Sequence, residues 1–112
     1  MIPIDAQLIL DKVDCSDKYD LIRKMVNALE NFGYDSDTRD NIMHKVFERE
    51  MVMSTAMGFG LAIPHAKTAL VKESHLIIAR PKKPIDFEAM DESPVDLIFL
   101  VLIPANDHKE HI

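Results

Sequence analysis

Gly58-Phe59-Gly60-Leu61-Ala62-Ile63-Pro64-His65-Ala66 is the stretch from which the rest of the chain is read. Two glycines frame a bend, because Gly58 and Gly60 permit positive φ or a close approach of backbone. Leu61 to Ile63 make a short buried strand, and Pro64, with no N–H to give to a ladder, stops it at a strand end or edge. His65 is thereby presented at the rim of a sheet on stiffened backbone. A nucleophilic histidine needs that setting, with one ring nitrogen open and the other held by a hydrogen bond.

Upstream, Ser16 reads as an N-cap with Asp17 and Asp20 in the first turn; Leu21, Ile22, Met25, Val26 and Leu29 follow at helical spacing, closed by Gly33. Ser36 or Asp37 caps a second helix whose stripe is Ile42, Met43, Val46, Phe47 and Met51, with His44, Arg49 and Glu50 off it or at its border. On spacing alone Arg49 is a solvated charge. Residues 4–13 fit either a strand or a single helical turn.

Downstream, Ser74 to Arg80 reads as a central strand closed by Pro81, and Lys82 to Phe87 as a short edge strand. Val95 to Ile103 has eight apolar residues of nine, which predicts a strand in mid-sheet covered on both faces. Asn106 or Asp107 caps a further helix at the end of the chain. Helices early and strands later indicate an α/β domain, a mixed β-sheet flanked by helices on both faces.

The 112 residues are enough for one domain. No run of about 18 apolar residues predicts a membrane span, and the start of the chain lacks the features of a secretory signal. A single cysteine, Cys15, fits a reducing compartment and is read as buried rather than nucleophilic. A formal charge of −6 disfavours nucleic acid, whose phosphates select basic stripes.

Three kinds of chemistry compete for the histidines. In the first, His65 attacks phosphorus, and Arg49, the Ser54 and Thr55 hydroxyls and backbone N–H groups near Gly58 and Gly60 meet the charge on the phosphoryl oxygens. The second is a zinc site of His65, His108 and His111, weakened by the absence of an HExxH spacing. The third is a binding or regulatory module whose anion pocket only senses. His44 and His75 read as surface or loop residues.

Arg49-Glu50, Ser54-Thr55, Gly58 to His65 and His108-Lys109-Glu110-His111-Ile112 together resemble the enzyme IIA domain of the fructose/mannitol type (type 2). That family serves the phosphoenolpyruvate-dependent sugar phosphotransferase system and includes a nitrogen-regulatory branch. The resemblance implies that His65 is phosphorylated through Nε2, receiving the group from the phosphocarrier protein HPr and passing it to a IIB domain. It implies that Arg49 and His111 share the active site, with no cofactor or metal and a cytoplasmic location. Ile112 stands where the family's motif has leucine, and Ala66 where glycine is frequent. Family members continue past His111, so residues 1–112 read as a single, C-terminally truncated domain. The expected consequence is apolar strand surface at Leu97, Phe99 and Val101, and self-association or poor solubility.

Overall fold

The computed structural model of the chain describes residues 4–105. Both readings of the first segment hold in turn: a 3-10 turn at Ala6–Leu8 leads directly into β1, Ile9–Val13. Helix α1, Lys18–Asn27, is capped by Asp17 rather than Ser16; the Asp17 carboxylate accepts Asp20 N–H while the Asp20 carboxylate accepts Ser16 N–H. The Ser16 N–H, helped by Arg23, holds the Asp20 carboxyl down at about 2. A 3-10 extension, Ala28–Phe32, then ends at Gly33 with φ +89, as the closing glycine predicts. Helix α2, Ser36–Val52, is capped by Asp35, one residue before Ser36 and two before Asp37, the two expected caps.

Strands β2 (Ala56–Gly58), β3 (Leu61–Ala62), β4 (His65–Lys67), β5 (His75–Pro81) and β6 (Leu97–Ile103) complete the elements. They form a mixed six-stranded sheet in the order β1-β5-β6-β3-β2, with β4 also on β6. β6 is central as predicted: β5 runs antiparallel on one side, while β3 and β4 run parallel, end to end, along the other. The expected edge strand at 82–87 contributes only a bridge between Ile85 and Val95.

Registers decide the faces. His75, Ile77 and Ala79 oppose Leu102, Leu100 and Ile98, and all six are buried. The five apolar ones share one core with Leu21, Ile22, Met25 and Val26 of α1 and Ile42 and Val46 of α2. Met43 and Phe47 border that core, but Met51, assigned to the same stripe, is 66% exposed. The alternate residues Leu97, Phe99 and Val101 are only half-buried, so the described residues cover one face of β6 fully and the other in part. The further helix expected from Asn106 or Asp107 falls outside the described residues.

Two buried polar clusters tie the layers together. Lys18, at the start of α1, reaches Glu50 near the end of α2 (3.2 Å) and the exposed Glu88 (2.9 Å). Burial alone drives the Lys18 ammonium down, but its hydrogen bonds and charge interactions with Glu88 and Glu50 outweigh it and raise its pKa. His75 is buried, contrary to its reading as a surface residue. Tyr34 Oη accepts Lys72 N–H (3.2 Å) and shares a hydrogen bond with His75 Nε2 (2.7 Å).

Lys18→Met strands the Glu50 carboxylate in the core and is expected to lower stability by about 3 kcal/mol in urea unfolding; adding Glu50→Gln should restore most of it. Burial holds the His75 pKa below 6.5, against a small opposing pull from Glu73. The unfolded chain therefore takes up this proton first as pH falls. The stability that neutral His75 contributes is complete above about 6.5 and is lost as pH drops through the folded value. Urea midpoints at pH 7.5 and 5.5 should differ more for the wild type than for His75→Gln; equal differences remove His75 from this role.

Candidate functional site

The strand after the glycine bend does not end at Pro64. Pairing with β6 resumes on its far side, the Pro64 carbonyl accepting Val101 N–H (3.0 Å), and His65 opens β4 opposite Val101. His65 is exposed, and its Nδ1 lies 2.9 Å from the Ile63 carbonyl. A carbonyl only accepts, so Nδ1 carries the proton, and in the neutral ring Nε2 holds the free lone pair. That nitrogen is the nucleophilic one.

Arg49 sits in the last turn of α2 and is half-buried. One guanidinium N–H donates to the Met53 carbonyl at the helix end (2.7 Å), which anchors the fork and leaves other donors for a ligand. Arg49 and His65 line two hollows in common. One, of about 460 Å³, is completed by Lys45, Glu48, Val52, Ala66 and Lys67; the other, of about 270 Å³, by residues 54–57 and Ile63. Three cations against one carboxylate line the first, in a chain whose formal charge is −6. A larger hollow of about 610 Å³ opens at the opposite end of β6, but Asp11 and Arg80 already pair across it (3.1 and 3.3 Å).

Ser54 and Thr55 line the smaller hollow, yet their hydroxyl protons are committed elsewhere. Thr55 is buried and gives both O–H (2.6 Å) and N–H (3.0 Å) to Glu50, while Ser54 O–H donates to the Phe87 carbonyl. In this structure the two hydroxyls hold the loop in shape. Glu50, placed by sequence at the border of the stripe, is the buried residue that fixes them. Its neighbour Arg49 and the Ser-Thr pair four residues on were the only signal.

Gly58 and Gly60 belong to the turn that precedes His65. β2 and β3 form a hairpin around Phe59-Gly60, with φ of +58 and +84 at the two central residues, the type I′ pattern. A Cβ on Gly60 would lie 2.9 Å from the Asp96 carboxylate, and one on Gly58 3.1 Å from Asp91. Carboxylates stand beside this turn, and neither glycine lines the hollows at His65. Phe59 takes a left-handed conformation that disfavours an L residue by about 1–2 kcal/mol. Its N–H is held by Asp91 (3.0 Å), whose carboxyl the Ser93 and Phe59 N–H groups keep below its ordinary value.

His108 and His111 lie outside the described residues. Among the described residues, no three histidine, cysteine or acidic side chains converge on a metal position. Cys15 is half-buried, and burial followed by the charge of Asp20 raises its thiol, which disfavours the thiolate. No helix of the described residues is long and apolar enough to cross a membrane.

Residues 3–112 match the family described as "Phosphoenolpyruvate-dependent sugar phosphotransferase system, EIIA 2". Among similar proteins, the "PTS system fructose-specific EIIA component" of Haloferax volcanii is 42% identical over 68% of this chain and 49% of its own. The "Nitrogen regulatory protein" of Bradyrhizobium diazoefficiens is 41% identical over 63% of this chain and 46% of its own. The chain thus spans about half the length of the curated relatives it matches. The crystal structure of nitrogen regulatory protein IIA-Ntr from Neisseria meningitidis superposes with a TM-score of 0.77 at 35% identity, covering 92% of this chain and 68% of that one. With the family match running from residue 3 to the last, the chain belongs to the type-2 enzyme IIA family of the sugar phosphotransferase system.

Proposed function

We propose that the chain is a cytoplasmic phosphohistidine carrier that takes a phosphoryl group from HPr on His65 and passes it to a IIB domain. The observation that carries this reading is the His65 ring itself. Its Nδ1–H is tied to the Ile63 carbonyl, its Nε2 lone pair is free, and Arg49 lines the same two hollows.

The step is a displacement at phosphorus. The Nε2 lone pair attacks the phosphorus of the donor phosphohistidine; the new N–P bond forms as the donor's N–P bond breaks, and its electron pair returns to the donor imidazole. Negative charge spreads over the three oxygens in transit, and positioned cations stabilise that state more than the ground state. Arg49 supplies planar N–H donors there, and Lys45 adds positive potential. His111 is assigned to contact the phosphoryl group on its match to the family's motif.

A second reading, in which this protein acts by binding regulatory partners, is favoured by the similarity to the two nitrogen regulatory proteins. Phosphorylation at His65 is compatible with it, but onward transfer to a IIB domain is not required.

Incubation with phosphoenolpyruvate, enzyme I and HPr, read by intact mass, should show an acid-labile gain of one phosphoryl group that His65→Ala lacks. Arg49→Ala should slow the gain about a hundredfold without altering the circular dichroism spectrum. Unmodified wild-type protein sinks the carrier reading; phosphorylated protein that never discharges to a IIB domain favours the regulatory one.

A further inference from the structure

The hairpin tip presents a residue that folding does not explain. The first central position of a type I′ turn selects asparagine, aspartate or glycine, because those residues accept left-handed backbone readily. Phe59 occupies it with φ +58, and its ring is 99% exposed. The residue is disfavoured twice, by its backbone and by its wetted aromatic surface.

Its surroundings are of the same kind. Met90, fully exposed, precedes the Asp91 whose carboxylate holds the Phe59 N–H, so the two loops carrying Phe59 and Met90 are joined by that bond. Met57, also exposed, lies two residues back along β2, about 7 Å at strand rise, and lines the smaller hollow at His65. Val52, exposed at the end of α2, lines the larger one. Exposed apolar residues therefore stand both at the rim of the reactive histidine, Val52 and Met57, and at the hairpin tip, Phe59 and Met90. Bulky apolar side chains, among them two methionines and an aromatic ring, are an adaptable contact surface.

We propose that Phe59, with Met57 and Met90 beside it, is the apolar anchor on which the phosphohistidine-bearing donor protein docks. This rests on the carrier reading above. A phosphoryl group passes between two imidazoles only when the proteins bearing them touch around His65, and a protein seated there covers Val52 and Met57 first. Phe59 is then a docking residue that does not touch the reacting atoms. The partner must offer a complementary apolar patch beside its phosphohistidine.

The test separates docking from chemistry with two phosphoryl donors, phosphorylated HPr and the small anion phosphoramidate. Phe59→Asn should raise the melting temperature by a few degrees, since asparagine suits the turn, and leave phosphorylation by phosphoramidate unchanged. Transfer from phosphorylated HPr should show KM raised about tenfold with kcat little altered; Met57→Ser with Met90→Ser should act in the same direction. An unchanged KM for HPr in both variants overturns the proposal while the carrier reading stands. So does a lowered melting temperature for Phe59→Asn, which assigns the ring to contacts within the chain. A concentration-dependent dimer in sedimentation that Phe59→Asn abolishes assigns it instead to a second copy. Wild-type protein that takes phosphate from neither donor removes the carrier reading itself.

Discussion

The geometry of the site depends on a carboxylate buried at the end of a helix. Glu50 is 2% exposed, and it is accommodated because Lys18 Nζ, Thr55 N–H and Thr55 O–H all converge on its two oxygens. An ion pair out of water adds little net stability over an apolar pair of the same size, whereas breaking one is severe. Its value here lies in position. It ties the start of α1 to the end of α2 and fixes the chain direction as the helix gives way to β2. Adjacent residues on a helix point about 100° apart, so with Glu50 turned into the core, Arg49 is directed to the hollows beside His65.

The sequence was most legible where one physical rule dominated. Apolar spacing located α1 and α2, and the eight apolar residues between Val95 and Ile103 located the central strand. Caps slipped by one or two residues because several side chains in a row, Asp35, Ser36 and Asp37, are all able to cap, and the choice depends on where the chain enters the helix. Met51 continued the stripe by spacing, but α2 has by then run past the core and the side chain meets water.

Readings failed where the deciding partner lies far along the chain. Gly58 and Gly60 read as an anion loop until Asp91 and Asp96, over thirty residues downstream, take the space beside them. The Ser54 hydroxyl reads as a free donor until the Phe87 carbonyl, thirty-three positions on, accepts it. His75 looked like a surface residue because nothing near it in sequence signals Tyr34, forty-one positions earlier. Arg49 is the reverse case: spacing made it a solvated charge, and only chemical reasoning and the resemblance grouped it with His65.

His65 itself is written locally, in Ile63-Pro64-His65. Successive carbonyls of an extended chain point to opposite edges. The Pro64 carbonyl faces β6 and takes Val101 N–H, so the Ile63 carbonyl faces away from β6, toward the outer side of the edge. The His65 ring folds back on that carbonyl through Nδ1. Proline contributes by what it lacks: with no N–H at position 64, the chain carries one fewer donor beside the ring. The tautomer that leaves Nε2 nucleophilic thus follows from three consecutive residues and the direction of one parallel strand pair. What the three residues do not supply is the positive charge lining the hollows beside the ring, which comes from α2 through Lys45 and Arg49 and so from the helix whose end the buried pair orients.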